Sequence, residues 1–252
     1  MLKDFFSLST YFIAGQYIQY HFLFEETSEF FKRYEVEDPT DEDTETLSVG
    51  MTLEDLEYYT RKRQEKITYS PGAEYDTLAL PTSSAMLLNN SFLFHSVGFS
   101  YRGKAILFTG PSGIGKTTQY AQWKRLLRDE VKIISGDMPG IAVEESGRIM
   151  VHPSAWNGKE RLRHEHSDPL GAIVVLEQEK ENTITRLDTL HAILPVYGQM
   201  CVDRRKKELV EKAFVLEDTI LRNIPVWKLS SRGDLDSARL CHDTIAGEIY
   251  GE

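Results

Sequence analysis

Cysteine is nearly absent. Cys201 and Cys241 are the only two in 252 residues, with no CxxC spacing, which leaves neither a disulfide framework nor a cysteine-based zinc site and gives no sign of redox chemistry. Long apolar runs are missing as well. Stretches such as GAIVVL (171–176) fall far short of the roughly 20 residues needed to span a bilayer, and the opening MLKDFFSLST lacks a cleavable signal pattern. The expectation is a cytoplasmic protein with no membrane partner. Basic charge is in deficit: 29 Lys and Arg against 39 Asp and Glu give a net charge of −10. Nucleic-acid binding, which needs clustered cations to displace counterions, is therefore not expected. The short basic runs at 61–66 and 203–208 sit beside acids in helical-looking stretches and read as solvated helix faces. No internal repeat or low-complexity tract is present, so the solenoid classes drop out.

What remains is a chain with 41% apolar residues, enough for one good core and a smaller appended part. Its most specific feature is GPSGIGKT, Gly110 to Thr117, which fits G-x-x-x-x-G-K-[ST], a loop whose consecutive backbone N–H groups wrap phosphate oxygens. Gly110, Gly113 and Gly115 allow φ > 0 and close approach of an anion. Lys116 is placed for the β/γ-phosphates, and Thr117 offers a hydroxyl to Mg²⁺. Pro111, Ser112, Ile114 and Thr118 complete the expected nucleotide-binding segment. At average glycine usage such a match arises by chance in roughly one chain in a hundred. The context fits: AILFTG (105–110) reads as a buried strand, and KTTQYAQWKRLL (116–127) carries Tyr120, Trp123, Leu126 and Leu127 at helical spacing. A helix starting at the phosphates adds its N-terminal dipole to the anion site.

Residues 10–24 read as two strands bending near Gly15, and the acidic segment 35–46 as a connection. Thr52 with Asp55 forms a variant capping box, and Pro81 is placed near the start of a helix over 81–88. A long strand at 91–101 turns at Arg102-Gly103 into the strand before the glycine loop. Further strands are expected at 131–135, 140–145, 148–151, 171–178, 182–187 and 226–230, and helices at 204–223 and 234–249. The division expected is residues 1–90 as a strand pair, acidic loop and helices packed on a core of residues 91–252.

A phosphate loop that supports a reaction needs a metal and a carboxylate. Asp137, at the end of the apolar strand VKIIS, is the candidate to hold Mg²⁺ with Thr117. The loop HPSAWNGKERL (152–162) sets Trp156, Gly158, Lys159 and Arg161 together, with the two cations as candidates to meet nucleotide or incoming phosphate. His95 precedes the glycine loop on the neighbouring strand.

Together these segments, from about His95 to Glu177, resemble the HPr kinase and phosphoenolpyruvate carboxykinase superfamily, closest to small bacterial HPr-kinase-like proteins. The residues that carry the resemblance are His95-Ser96, GPSGIGKTT, SGDMP, HPSAWNGKE and PLGAIVVLEQEKENTITRL. It implies an α/β fold with α+β character: a P-loop core with a mixed sheet, an N-terminal strand pair and a helical C-terminus. It implies ATP and Mg²⁺ as cofactors and Lys116, Asp137, His95, Lys159 and Arg161 as the catalytic set. The activity implied is phosphorylation of a serine-type hydroxyl of a protein or peptide, with homo-oligomerisation left open. One departure stands out: relatives usually have two adjacent aspartates where this chain has Gly136-Asp137. An ATP-binding module without turnover is therefore the alternative, with Glu144, Glu145 and Glu160 as substitutes to consider for the missing carboxylate. A carboxykinase-type enzyme ranks behind both.

Overall fold

The computed structural model describes residues 9–41, 44–62, 68–158 and 166–251. The fold is mixed α/β, with two sheets. The smaller is formed by β1 (Thr10–Ile13), β2 (Gln16–His21), β3 (Glu35–Val36) and β4 (Thr46–Gly50) in the order β3-β1-β2-β4. Its first hairpin turns at Ala14 and Gly15, both at positive φ, and a short helix α1 (Ser28–Phe31) follows β2. Helix α2 (Leu53–Lys62) opens on the expected box: Asp55 N–H donates to Thr52 Oγ at 3.1 Å, and Thr52 N–H to Asp55 Oδ2 at 3.0 Å.

Helix α3 (Pro71–Leu88) begins ten residues before the expected start, with Ser70 as its N-cap and Pro71 in the first turn, so Pro81 lies inside it. The expectation failed because the helix buries several faces at once, Leu78, Ala79, Thr82, Met86 and Leu87 among them, and so shows no amphipathic stripe. Glu74 of this helix is fully buried and accepts from Leu23 N–H, Phe24 N–H and the Thr27 hydroxyl, which fastens the chain leaving β2.

The larger sheet has nine strands: β5 (Ser91–Leu93), β6 (Ser96–Tyr101), β7 (Lys104–Thr109), β8 (Val131–Ser135), β9 (Gly140–Val143), β10 (Ile149–His152), β11 (Asp168–Gln178), β12 (Thr183–Leu187) and β13 (Val226–Ser231). Strands β7, β11 and β13 run parallel in its centre, and their unbroken apolar character follows from burial on both faces. Along β7 the alternation is direct: Ala105 and Leu107 face one core cluster, Ile106 and Phe108 the other. Helices α4 (Lys116–Leu127) and α7 (Leu235–Tyr250) cover the second face, with Trp123, Ala238, Cys241 and Ile245 buried between. Helices α5 (Thr189–Tyr197) and α6 (Lys207–Asn223) cover the first, through Ala192, Val196, Leu209, Ala213 and Leu216.

Three further expectations need correction. The strand over 91–101 is broken at Phe94-His95: β5 pairs with β9, whereas β6 pairs with β7 and β8. Helix α5 was not anticipated, because Pro195 inside it masks its periodicity. Helix α6 starts at Lys207 rather than 204, since Asp203 folds back on Arg205 in a two-contact ion pair (2.8 and 2.7 Å) flanked by Tyr58 and Tyr59. The basic run at 203–208 is thus partly a structural clamp, and residues 63–66 of the other basic run lie outside the described residues. Among the described residues, no helix is long and apolar enough to cross a membrane.

Candidate functional site

Strand β7 ends at Thr109 and helix α4 begins at Lys116; residues 110–115 between them form an arch exposed at 111–113. Gly110 has φ +140°, Gly113 +79° and Gly115 +103°, the backbone region that glycine enters without a Cβ penalty. At Gly110 the requirement is also steric, since an added Cβ would lie 3.2 Å from Ile114 and 3.3 Å from the Leu176 carbonyl. At Gly113 and Gly115 a Cβ would meet nothing within 4 Å, so the space beside them is open. Gly115 caps α4 with no side-chain partner, leaving the first-turn amides of the helix to any anion placed there. Pro111, Ser112 and Thr118 are exposed, and Ile114 and Thr117 half-buried.

Lys116 is buried, and its ammonium has three partners: the carbonyls of Gly110 (3.0 Å) and Pro111 (3.2 Å), and His95 Nε2 (3.1 Å). Burial lowers its pKa, and the nearby Asp137 carboxylate opposes that shift. His95 sits at the break between β5 and β6, held by the Thr109 hydroxyl donating to its carbonyl at 2.9 Å and by Gln199 Oε1 at 2.9 Å from its Nδ1. Asp137 lies two residues beyond β8, with its Oδ1 3.6 Å from His95 Nε2. Partial burial raises the Asp137 pKa, and His95 and Lys116 counter that rise. The Asp137 carbonyl accepts from Ser96 N–H at 2.8 Å, and Met138 N–H donates to the Trp156 carbonyl at 3.0 Å.

His95, Lys116 and Asp137 therefore converge at one end of the glycine loop. Lys159, Glu160 and Arg161 lie outside the described residues; the described end of their loop, Gly158, packs against Asp137, where an added Cβ would stand 3.3 Å from the aspartate Cβ. Trp156 does not face the site. It is buried against Phe31 and Tyr75, and its indole N–H donates to the Tyr75 carbonyl at 2.9 Å. Glu144 is half-buried in the turn between β9 and β10 and engaged with Arg148 at 3.0 Å; Glu145 shares that turn.

Two features escaped sequence reading. One is Gln199, just beyond α5. The other is a cleft of about 500 Å³ lined by Ile114, Gly115 and Thr118 on one side and by Gln178, Lys180 and Arg232 on the other. It lies at the carboxyl ends of the three parallel strands, the usual place for ligands in open α/β sheets. A second cavity, about 420 Å³ near Leu187, Leu221 and Pro225, contains none of the candidate residues.

No protein-family model matches the chain, and no curated protein matches it in sequence. Among solved structures it is similar to the Hpr(Ser) kinase/phosphatase from Coxiella burnetii, at 11% identity over 60% of this chain and 95% of that chain, with a TM-score of 0.35. At that level the likeness is a distant one of fold alone.

Proposed function

We propose that the chain is an ATP-dependent phosphotransferase whose P-loop is residues 110–117 and whose acceptor is a serine-type hydroxyl on a protein or peptide. One observation carries the reading: a buried lysine at the foot of an open glycine arch, with a histidine in reach of it and a carboxylate beside that histidine. In this reading the arch amides and the start of α4 hold the phosphates, and Lys116 exchanges its two carbonyl partners and His95 for phosphate oxygens. The nucleoside end lies in the cleft beside Thr118 and Arg232.

Mg²⁺ with ATP, when bound, supplies the transferable phosphoryl group and neutralises its charge. The residues present suit that pair. The space above Gly113 and Gly115 is open. Among the described residues no cluster of three or more His, Cys, Asp or Glu exists that could hold a metal alone, and Mg²⁺ characteristically uses one or two carboxylates plus substrate phosphates. Thr117 and Asp137 would be its protein contacts. His95 would face the incoming hydroxyl, and the family resemblance gives Lys159 and Arg161 the same acceptor-side role. A homo-oligomer is compatible with this assignment.

The second reading, an ATP-binding module without turnover, is favoured by Gly136, which leaves Asp137 without the neighbouring carboxylate of the family it resembles. Gly136 is not among the glycines at positive φ, so an aspartate there meets no left-handed backbone penalty. The test is phosphotransfer from Mg-ATP to a panel of protein and peptide acceptors. Wild-type transfer reduced about 100-fold or more in Asp137→Asn, with metal-free nucleotide affinity retained, supports the enzyme. Silence in the wild type with a gain in Gly136→Asp supports the binding module.

A further inference from the structure

Two backbone bonds tie the break at His95 to the segment after α5. His95 N–H donates to the Gln199 carbonyl, and Cys201 N–H to the Leu93 carbonyl, both at 2.9 Å, with Phe94 and Met200 bridged antiparallel between them. This pairing sets the Gln199 amide beside the imidazole, with Oε1 2.9 Å from Nδ1. Across the ring, Nε2 lies 3.1 Å from Lys116 Nζ and 3.6 Å from Asp137 Oδ1.

Donor counting decides which ring nitrogen carries the proton. An ammonium has three N–H groups and no lone pair. Two of the Lys116 protons go to the Gly110 and Pro111 carbonyls, so the third needs a lone pair on His95 Nε2. In the neutral ring the proton then sits on Nδ1, where Gln199 Oε1 accepts it. Turning the amide over would put its NH₂ against Nδ1, move the ring proton to Nε2 and face it with the ammonium, donor against donor.

We infer that Gln199 is a positioning residue for His95: its amide oxygen fixes the Nδ1–H tautomer and aims the Nε2 lone pair at the Lys116 ammonium. His95 then holds the Lys116 ammonium at the foot of the glycine arch by a bond that a phosphate oxygen can replace. Once the lysine has moved, the Nε2 lone pair is left as an acceptor for another donor. The use made of that lone pair rests on the phosphotransferase reading; the tautomer does not.

The experiment is long-range ¹H–¹⁵N correlation NMR on the full chain labelled with ¹⁵N-histidine, at a pH where imidazole is neutral. The His95 signals are identified among the seven histidines by their loss in His95→Asn. Wild-type His95 is expected to show a protonated, pyrrole-type Nδ1 and a pyridine-type Nε2. Gln199→Met, which removes the acceptor at similar volume, should shift the ring toward Nε2–H, and Gln199→Glu should retain Nδ1–H. A wild-type His95 protonated on Nε2, or an unchanged tautomer in Gln199→Met, overturns the inference, and the wild-type spectrum alone decides if Gln199→Met does not fold. Where acceptor phosphorylation is measurable, Gln199→Met should lower kcat about tenfold with little change in KM for ATP, and Gln199→Glu should recover most of it. A wild type inactive on every acceptor that still shows Nδ1–H counts against the phosphotransferase reading and supports this one.

Discussion

The two walls of the candidate site are built differently. The glycine arch is one contiguous segment, 110–115, which in the proposed reading would meet phosphate with its own amides. The opposite wall gathers His95, Asp137, Gly158 and Gln199 from separate segments, and it depends on packing further out. The Ala14-Gly15 turn of the small sheet presses on Gly140, and Ala14 N–H donates to the Pro153 carbonyl at 3.1 Å. Hydroxyls of Tyr34 and Tyr75 donate to the carbonyls of Ser154 and Ala155. A segment that supplies its own binding groups tolerates damage elsewhere in the molecule; a wall assembled from distant pieces transmits it. The small sheet is, on this view, a buttress for the charged side of the site.

The largest effect that would sharpen this contrast comes from Gly140→Ala. The new Cβ would fall 2.2 Å from Ala14 Cβ and 2.9 Å from its Cα, so backbone must move. A loss of about 3 kcal/mol is expected, seen as a fall in Tm of about 6–12 °C. Nucleotide affinity measured well below the transition should change little, because the arch is untouched. An unchanged Tm would mean that the small sheet does not press on the site as described.

Glu217 tests the packing behind the same wall. It is buried in α6 with Oε1 unpartnered and held by the Tyr197 backbone N–H, two residues before Gln199, and burial pushes its pKa up from 4.5 to about 7. Between these values the unfolded chain releases a proton that the folded chain keeps. The stability contribution is thus whole below the unfolded pKa and is lost as pH rises through the folded one. Glu217→Gln should stabilise the protein by about 2–3 kcal/mol near pH 8 and by little near pH 4. Denaturant titrations at the two pH values check this; a gain independent of pH would remove the titration account.

The smallest effect belongs to the arch. Gly113→Ala meets open space at φ +79°, so only left-handed strain applies, about 1 kcal/mol and about 2–4 °C in Tm. A fall as large as that of Gly140→Ala would erase the distinction between the walls.

What could be read from the sequence follows the same division. The arch, the two-residue turn at Arg102-Gly103 with both residues at positive φ, and the Thr52–Asp55 box are local, and their residue types state their geometry. The bend that presents His95 is not local: it exists because β5 joins β9 while β6 joins β7. Gln199 carried no signal, being one amide after a helix that Pro195 conceals. Trp156, in the loop whose two cations are the candidates, belongs to the packing instead: Phe31 and Tyr75 close over it.

The central claim is that the arch and Lys116 form a nucleoside triphosphate site. Isothermal titration of Mg-ATP into the wild type and Lys116→Ala tests it most directly. The account predicts saturable binding by the wild type and a loss of about 10- to 100-fold in affinity on removing the ammonium, the scale of a hydrogen bond to a charged group. No heat of binding in the wild type, or equal affinity in the two proteins, would contradict it.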